Sequence, residues 1–337
     1  MIMSLLIVRD CIRASQVCMA WYRSSASIRK KDRHLWLMKY DPISSTINMC
    51  EMYDPSHDMI TYTMEVPEIT SKVICYSKDG WLLMGNESLT DLLFFNAFTR
   101  KLINLPTCGY YFECVIFTCA PTSDCCLVFG LANSNGNLVA VNTLRLGETE
   151  WETSQFLSPN PLFAWCNKII FSGGLFYCLG RCGSVAAVFN PSERTWNTHQ
   201  VKCGKGFTHS TVVSYGTFFV EIKGDLFFIN TLGEKLQVFR LKRDEEWGWE
   251  EKTRIEEGFT VFGSSYALEA RSDIPCNLRD KIFLADSLDY HHPAMQNYVF
   301  EEGKYLQTNP PDSPWDLARH ISQSVWIEPP KQLLEFI

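Results

Sequence analysis

A chain of 337 residues with 46% hydrophobic, 13% aromatic and only 20% charged residues has the composition of a folded globule with a large core, which excludes a disordered or fibrous protein. Its formal net charge of −7 gives no footing for nucleic-acid binding, and no run of residues reads as a membrane span. The charge is uneven: residues 1–34 carry +5 and the remainder −12, which marks the N-terminal segment as a separate element.

The first eight residues are apolar but have no basic flank before them and no small-residue cleavage site after them, so no secretory signal is expected. An Arg-rich, acid-poor start also fits an organellar transit peptide, the minority alternative to cytoplasm or nucleus. From Asp10 as a helix N-cap, Ala14, Val17, Cys18, Trp21 and Tyr22 fall on one helical face. Periodicity leaves two readings open: a helix packed on the rim of the following domain, or a helix that docks a partner.

From residue 35 onward, short runs of aromatic and branched residues alternate with Gly, Asn, Asp and Pro, the pattern of an all-β domain. One unit recurs: an apolar strand, an Asx residue, a turn and a returning strand. Its copies are Met52-Tyr53-Asp54-Pro55, Phe94-Phe95-Asn96-Ala97, Ala140-Val141-Asn142-Thr143, Val188-Phe189-Asn190-Pro191 and Phe228-Ile229-Asn230-Thr231, with Asx positions 40 to 48 residues apart. An Asx side chain can bond backbone N–H groups just ahead of it, which explains the residue choice. A sixth copy lies at Gln296-Asn297-Tyr298-Val299-Phe300, with Glu301-Glu302-Gly303-Lys304 as its turn. The longer gap before it, residues 271–295, predicts an extended loop or insertion. The period fits a β-propeller of about six four-stranded blades. Leu35-Trp36-Leu37-Met38 and Ser324-Val325-Trp326-Ile327 are candidates to close the ring, or to raise the count to seven.

The fourteen cysteines are scattered through apolar runs, with no C-x-x-C pair and no His at ligand spacing. They read as buried, reduced thiols and not as a disulfide framework or a zinc site. No nucleophile elbow, zinc-protease helix, phosphate loop or dinucleotide fingerprint is present. Gly204-Lys205-Gly206 reads as a hairpin turn and His291-His292 as a surface loop. The glutamates around Trp247-Gly248-Trp249 read as a solvated hairpin with buried Trp anchors. No catalytic residue, cofactor or metal is expected. A propeller enzyme would instead gather titratable groups with shifted pKa values in its central channel, and none is expected there.

Residues Asp10 to Ser24, with their acidic residue, Ile-Arg-Ala-Ser, Val-Cys and Trp in order, resemble the second half of an F-box; the Leu-Pro opening of that motif is absent from the nine residues before Asp10. The remainder resembles the KIB-type (kelch-like) β-propeller that follows F-boxes in plant proteins. Gly80-Trp81-Leu82-Leu83-Met84, the run Leu93 to Pro106, Phe262-Gly263, Asn277 to Leu284 and Val325-Trp326-Ile327-Glu328-Pro329-Pro330 carry that likeness. The resemblance implies a helical partial F-box over 1–34, a propeller over 35–330 and a tail over 331–337. It implies docking to a Skp-type adaptor and cullin complex through Ile12, Arg13, Ser15, Val17, Cys18 and Trp21. The chain would then be the substrate-recognition subunit of an SCF-type E3 ubiquitin ligase, presenting an unidentified protein. The alternative is a stand-alone interaction protein that no longer docks the adaptor.

Overall fold

The computed structural model describes residues 17–21, 23–24, 35–40, 42, 49–55, 60–134, 138–157, 168–180, 183–204, 207, 217–231, 236–264, 268–274, 276–285, 295–308 and 323–329. The strands form six sheets arranged as the blades of a propeller. Blade 1 contains β1 (Trp36–Tyr40), β2 (Met49–Asp54) and β3 (Ile60–Glu65); blade 2 contains β4 (Val73–Lys78), β5 (Trp81–Gly85), β6 (Leu92–Phe95) and β7 (Leu102–Asn104). Blade 3 is β8 (Cys114–Phe117), β9 (Leu127–Ser134), β10 (Leu138–Arg145) and β11 (Glu152–Leu157). Blade 4 is β12 (Lys168–Ser172), β13 (Leu175–Leu179), β14 (Val185–Asn190) and β15 (Thr195–Gln200). Blade 5 is β16 (Thr217–Ile222), β17 (Asp225–Asn230), β18 (Gln237–Arg243) and β19 (Trp247–Lys252). Blade 6 holds β20 (Thr260–Gly263), β21 (Leu268–Arg271), β22 (Lys281–Leu284), β23 (Met295–Val299) and β24 (Lys304–Thr308). The last strand, β25 (Gln323–Ile327), returns to blade 1 and pairs antiparallel with β1 over five residues.

Strand alternation explains why these runs are apolar on both faces, since successive side chains point to opposite sides of a blade and both sides are covered by a neighbour. Trp36, Met38 and Tyr40 of β1 pack with blade 2, whereas Leu37 packs with Phe262 and Phe283 of blade 6. In β5, Leu82 and Met84 turn toward blade 1, and Trp81 and Leu83 toward blade 3. Six buried clusters result, one in each blade interface.

Two of the repeated turns have the predicted chemistry. Asn96 Oδ1 accepts from the N–H groups of Phe98 (3.1 Å) and Thr99 (2.9 Å), and Asn190 Oδ1 from those of Ser192 (2.9 Å) and Glu193 (3.3 Å). Each turn then passes through an arginine in the left-handed region, Arg100 (φ 58°) and Arg194 (φ 53°). Both guanidinium groups reach back toward the preceding blade, Arg100 to Glu68 (2.7 Å) and Arg194 to Glu152 (2.6 Å).

Other features differ from expectation. Asn142 lies inside β10, fully buried and accepting from Thr153 Oγ1 at 2.7 Å, because that strand runs on to Arg145 and turns at Gly147 (φ 95°). Asn230 ends the second strand of its blade, while Asp54, Asn96 and Asn190 end the third. The five copies are therefore not one register-equivalent position. The flanking strands complete blade 1, and the count stays at six. Blade 6 has five strands, not four: β20 lies between β21 and β22 and runs parallel to β22. Within 271–295 the described residues include the 3-10 turn Cys276–Leu278 and the buried strand β22, while His291-His292 lies outside the described residues. Of the Gly204-Lys205-Gly206 run, Lys205 and Gly206 lie outside the described residues, and the Phe207 N–H donates to Gly204 O at 3.2 Å. Lys202 bridges Gly248 in parallel, and a Cβ on Gly204 would stand 2.9 Å from the Trp249 carbonyl oxygen, so the tight approach selects glycine.

Candidate functional site

The N-terminal segment is helical at residues 19–21 and 23–24. Val17 is 69% exposed and Trp21 42%, and Cys18 and Met19 are also on the surface. None of the six buried clusters contains any of these residues. Among the described residues, then, Val17, Cys18 and Trp21 share one uncovered turn and do not pack into the propeller core. Ile12, Arg13 and Ser15 lie outside the described residues.

The second candidate is the central channel, a cavity of about 600 Å³ lined by β4, β8, β12, β16 and β21 together with Gln323 of β25. Glu113, Lys78, Lys168, Glu221 and Glu269 bring charge to its wall, beside Cys75, Tyr76 and Phe218. The expectation of no convergent titratable group is corrected at Glu269. Burial pushes its carboxyl above the ordinary carboxylate range, with Arg271 opposing that shift and Glu328 and Asp79 reinforcing it.

Arg271 explains the cluster. Its Nε lies 2.6 Å from Glu269 and its Nη2 2.7 Å from Glu328, a carboxylate that is only 6% exposed. Arg271 belongs to blade 6, and Glu328 directly follows β25 of blade 1, so the guanidinium spans the seam where the ring closes. Gly80 sits against the same seam: its φ is +78°, and an added Cβ would come 2.7 Å from the Glu328 carbonyl oxygen. This is a structural clamp. Oxygens of Glu269, Asp273 and Glu328 surround the one guanidinium.

The raised Glu269 pKa fixes a pH dependence. The folded state holds this proton more tightly than the unfolded chain does. Between the ordinary glutamate pKa and the higher folded value, stability therefore falls as pH rises. Glu269→Gln is expected to flatten that part of the stability–pH curve, and urea unfolding at a series of pH values would measure it. An unchanged slope in the variant would refute the assignment.

The other sequence candidates resolve as structure. Trp249 is buried and donates from Nε1 to Gly183 O at 2.8 Å, while Trp247 is only half-buried and stacks on His199 with centroids 4.0 Å apart. The acidic residues nearby face lysines: Glu246 meets Lys202 at 2.5 Å, Glu250 meets Lys252 at 2.9 Å, and Glu256 meets Lys223 at 3.6 Å. No group of three or more His, Cys, Asp or Glu residues suited to a metal occurs among the described residues. Cys50, Cys108, Cys126 and Cys178 are buried as expected, but Cys18, Cys125 and Cys203 are exposed. Sequence position alone did not separate the two groups, because Cys125 and Cys126 are neighbours on opposite sides of a strand entrance.

The model for the KIB1-4 beta-propeller matches residues 52–305. The chain belongs to the KIB1-4 β-propeller family. Curated relatives from Arabidopsis thaliana cover the N-terminal segment as well. F-box protein At4g00893 is 33% identical across 99% of this chain and 85% of its own, and F-box/kelch-repeat protein At1g57790 is 36% identical across 100% and 94%. F-box protein At3g56470 is 31% identical across 99% and 88%. This KIB1-4 propeller is thus a plant-type F-box and propeller chain. The strand inserted in its sixth blade and the Arg271 clamp had no signal in the repeat pattern. Arg271 could have been suspected only as an arginine on a channel strand facing a glutamate 57 residues away in sequence.

Proposed function

We propose that this chain is the substrate-recognition subunit of an SCF-type E3 ubiquitin ligase. The Asp10 to Ser24 segment docks a Skp-type adaptor and, through it, the cullin complex, while the propeller presents a protein for ubiquitination. The observation that carries this reading is the uncovered Val17–Trp21 turn, an apolar face on a chain whose blade interfaces are already filled. The names of the relatives, F-box proteins matched along nearly their whole length, support it. An exposed Trp with apolar neighbours is the usual composition of an interface anchor.

In this role the chain is not an enzyme. Ubiquitin transfer falls to other subunits, and the receptor contributes proximity, raising the effective concentration of its bound protein near the conjugating enzyme. We assign it to the cytoplasm or nucleus, in keeping with the free thiols of all its described cysteines.

Adaptor capture by the purified full chain, compared with a version lacking residues 1–34, tests the proposal. The full chain is expected to retain the adaptor, and the shortened version to lose it while unfolding at the same temperature. Failure of the full chain to bind would leave a stand-alone interaction protein.

A further inference from the structure

The loop joining β8 to β9 holds three cysteines in eight residues, and their sulfur atoms are not equivalent. Cys125 is exposed, Cys119 is half-buried and Cys126 is buried. The sulfurs of Cys119 and Cys125 stand 3.5 Å apart, and Ser123 Oγ lies 3.0 Å from Cys125 Sγ. Cys126 Sγ turns away and donates to the Cys119 carbonyl oxygen at 3.0 Å. A disulfide needs a separation near 2.05 Å, so the pair must close by about 1.5 Å, within the reach of side-chain rotation at a loop.

We propose that Cys125 is a site of reversible oxidation by hydroperoxides, with Cys119 as the resolving thiol that converts it to a disulfide. The Cys125 thiolate attacks one oxygen of the hydroperoxide. A sulfur–oxygen bond forms, the O–O bond breaks, and hydroxide or alkoxide leaves; sulfur is oxidised and the peroxide reduced, each by two electrons. Cys119 then attacks the Cys125 sulfur, forming the S–S bond, and the hydroxyl leaves with the thiol proton as water. A small dithiol reverses the step by exchange, ending as its own disulfide.

The surroundings assign the roles. Hydrogen bonds from Ser123 and then Cys119 hold the Cys125 thiol below its ordinary range, against desolvation and the adjacent Asp124. Burial pushes Cys119 up, and Cys126 is pushed up to about 12. The exposed sulfur is therefore the nucleophile that meets the oxidant, and the half-buried one waits behind it. The loop is also tied to the preceding blade, since the Ala120 N–H donates to Asp79 Oδ2 at 3.0 Å.

The test uses the reduced full chain and hydrogen peroxide, followed by intact-mass measurement and peptide mapping. Loss of two hydrogens, mapped to a Cys119–Cys125 bond and restored by dithiothreitol, is expected. Cys119→Ser is expected to stop at one added oxygen on Cys125, captured by a 1,3-dione probe, and Cys125→Ser to form no bond at this loop. Exposed Cys18 and Cys203 serve as internal controls and should be oxidised at least about tenfold more slowly. A bond to Cys126, oxidation of all exposed cysteines at one rate, or no probe capture in Cys119→Ser would overturn the proposal.

Discussion

Trp326→Ala is expected to lower the stability of the propeller by about 3–5 kcal/mol, the usual cost of truncating a buried Trp. Trp326 is 2% exposed in β25, with its ring edge-on to both Phe262 (5.1 Å) and Phe283 (6.1 Å) of blade 6. Its Nε1 donates to Gly263 O at 3.0 Å, and its carbonyl accepts from Ser77 Oγ of blade 2 at 2.9 Å. One residue thus joins three blades at the point where the last strand meets the first. Loss of the ring leaves a void and a weakened seam, while Gly263 O keeps only its bond from the Ala285 N–H at 2.8 Å. Trp326→Phe keeps most of the packing and loses only the Nε1 bond, so about 1 kcal/mol is expected. Urea unfolding of both variants would measure the effects. Equal, small losses in the two would mean that the ring closes through the β1–β25 ladder alone.

Trp21→Ala is expected to weaken adaptor capture by about 2 kcal/mol, roughly a thirtyfold change in the dissociation constant. Trp21 carries the largest side chain on the uncovered turn. Its removal deletes apolar area from the docking face and leaves the six blade clusters untouched. Titration of labelled adaptor against wild-type and variant chains gives the loss, and thermal unfolding should be unchanged. If binding survives and the propeller melts at lower temperature, the segment is a cap for the domain.

The propeller was legible because its signal is local and repeated. Asn96 and Asn190 announce their turns by a side chain that bonds the next two N–H groups, and both turns formed. Asn142 carried the same letters and became a buried strand residue, since cross-strand pairing with Gly130 and Thr153 outweighed turn preference. Trp36 and Val325 were visible as closing strands, but their blade count was not, because pairing between residues nearly three hundred positions apart leaves no periodic trace. The clamp at Arg271 was invisible because Glu269 and Arg271 are close in sequence, whereas Glu328 follows 57 residues later and is brought to them by the closing strand. On the candidate docking face, helical spacing placed Val17, Cys18 and Trp21 together, whereas their exposure is a property of the folded whole.

Because β25 and β1 lie side by side, the two ends of the propeller leave from one blade. Ten residues, 25–34, separate the helical turn from Leu35 of that blade, so the eleven Cα–Cα steps from Ser24 to Leu35 span at most about 40 Å. In the proposed role, an adaptor held by Trp21 would therefore be anchored within that distance of blade 1. Cargo seated above blades 3 and 4 would lie across the ring from that anchor, and cargo above blade 1 beside it. Which lysines of the cargo come within range is then a matter of tether length, and lengthening residues 25–34 would widen the zone of modification without altering either binding surface.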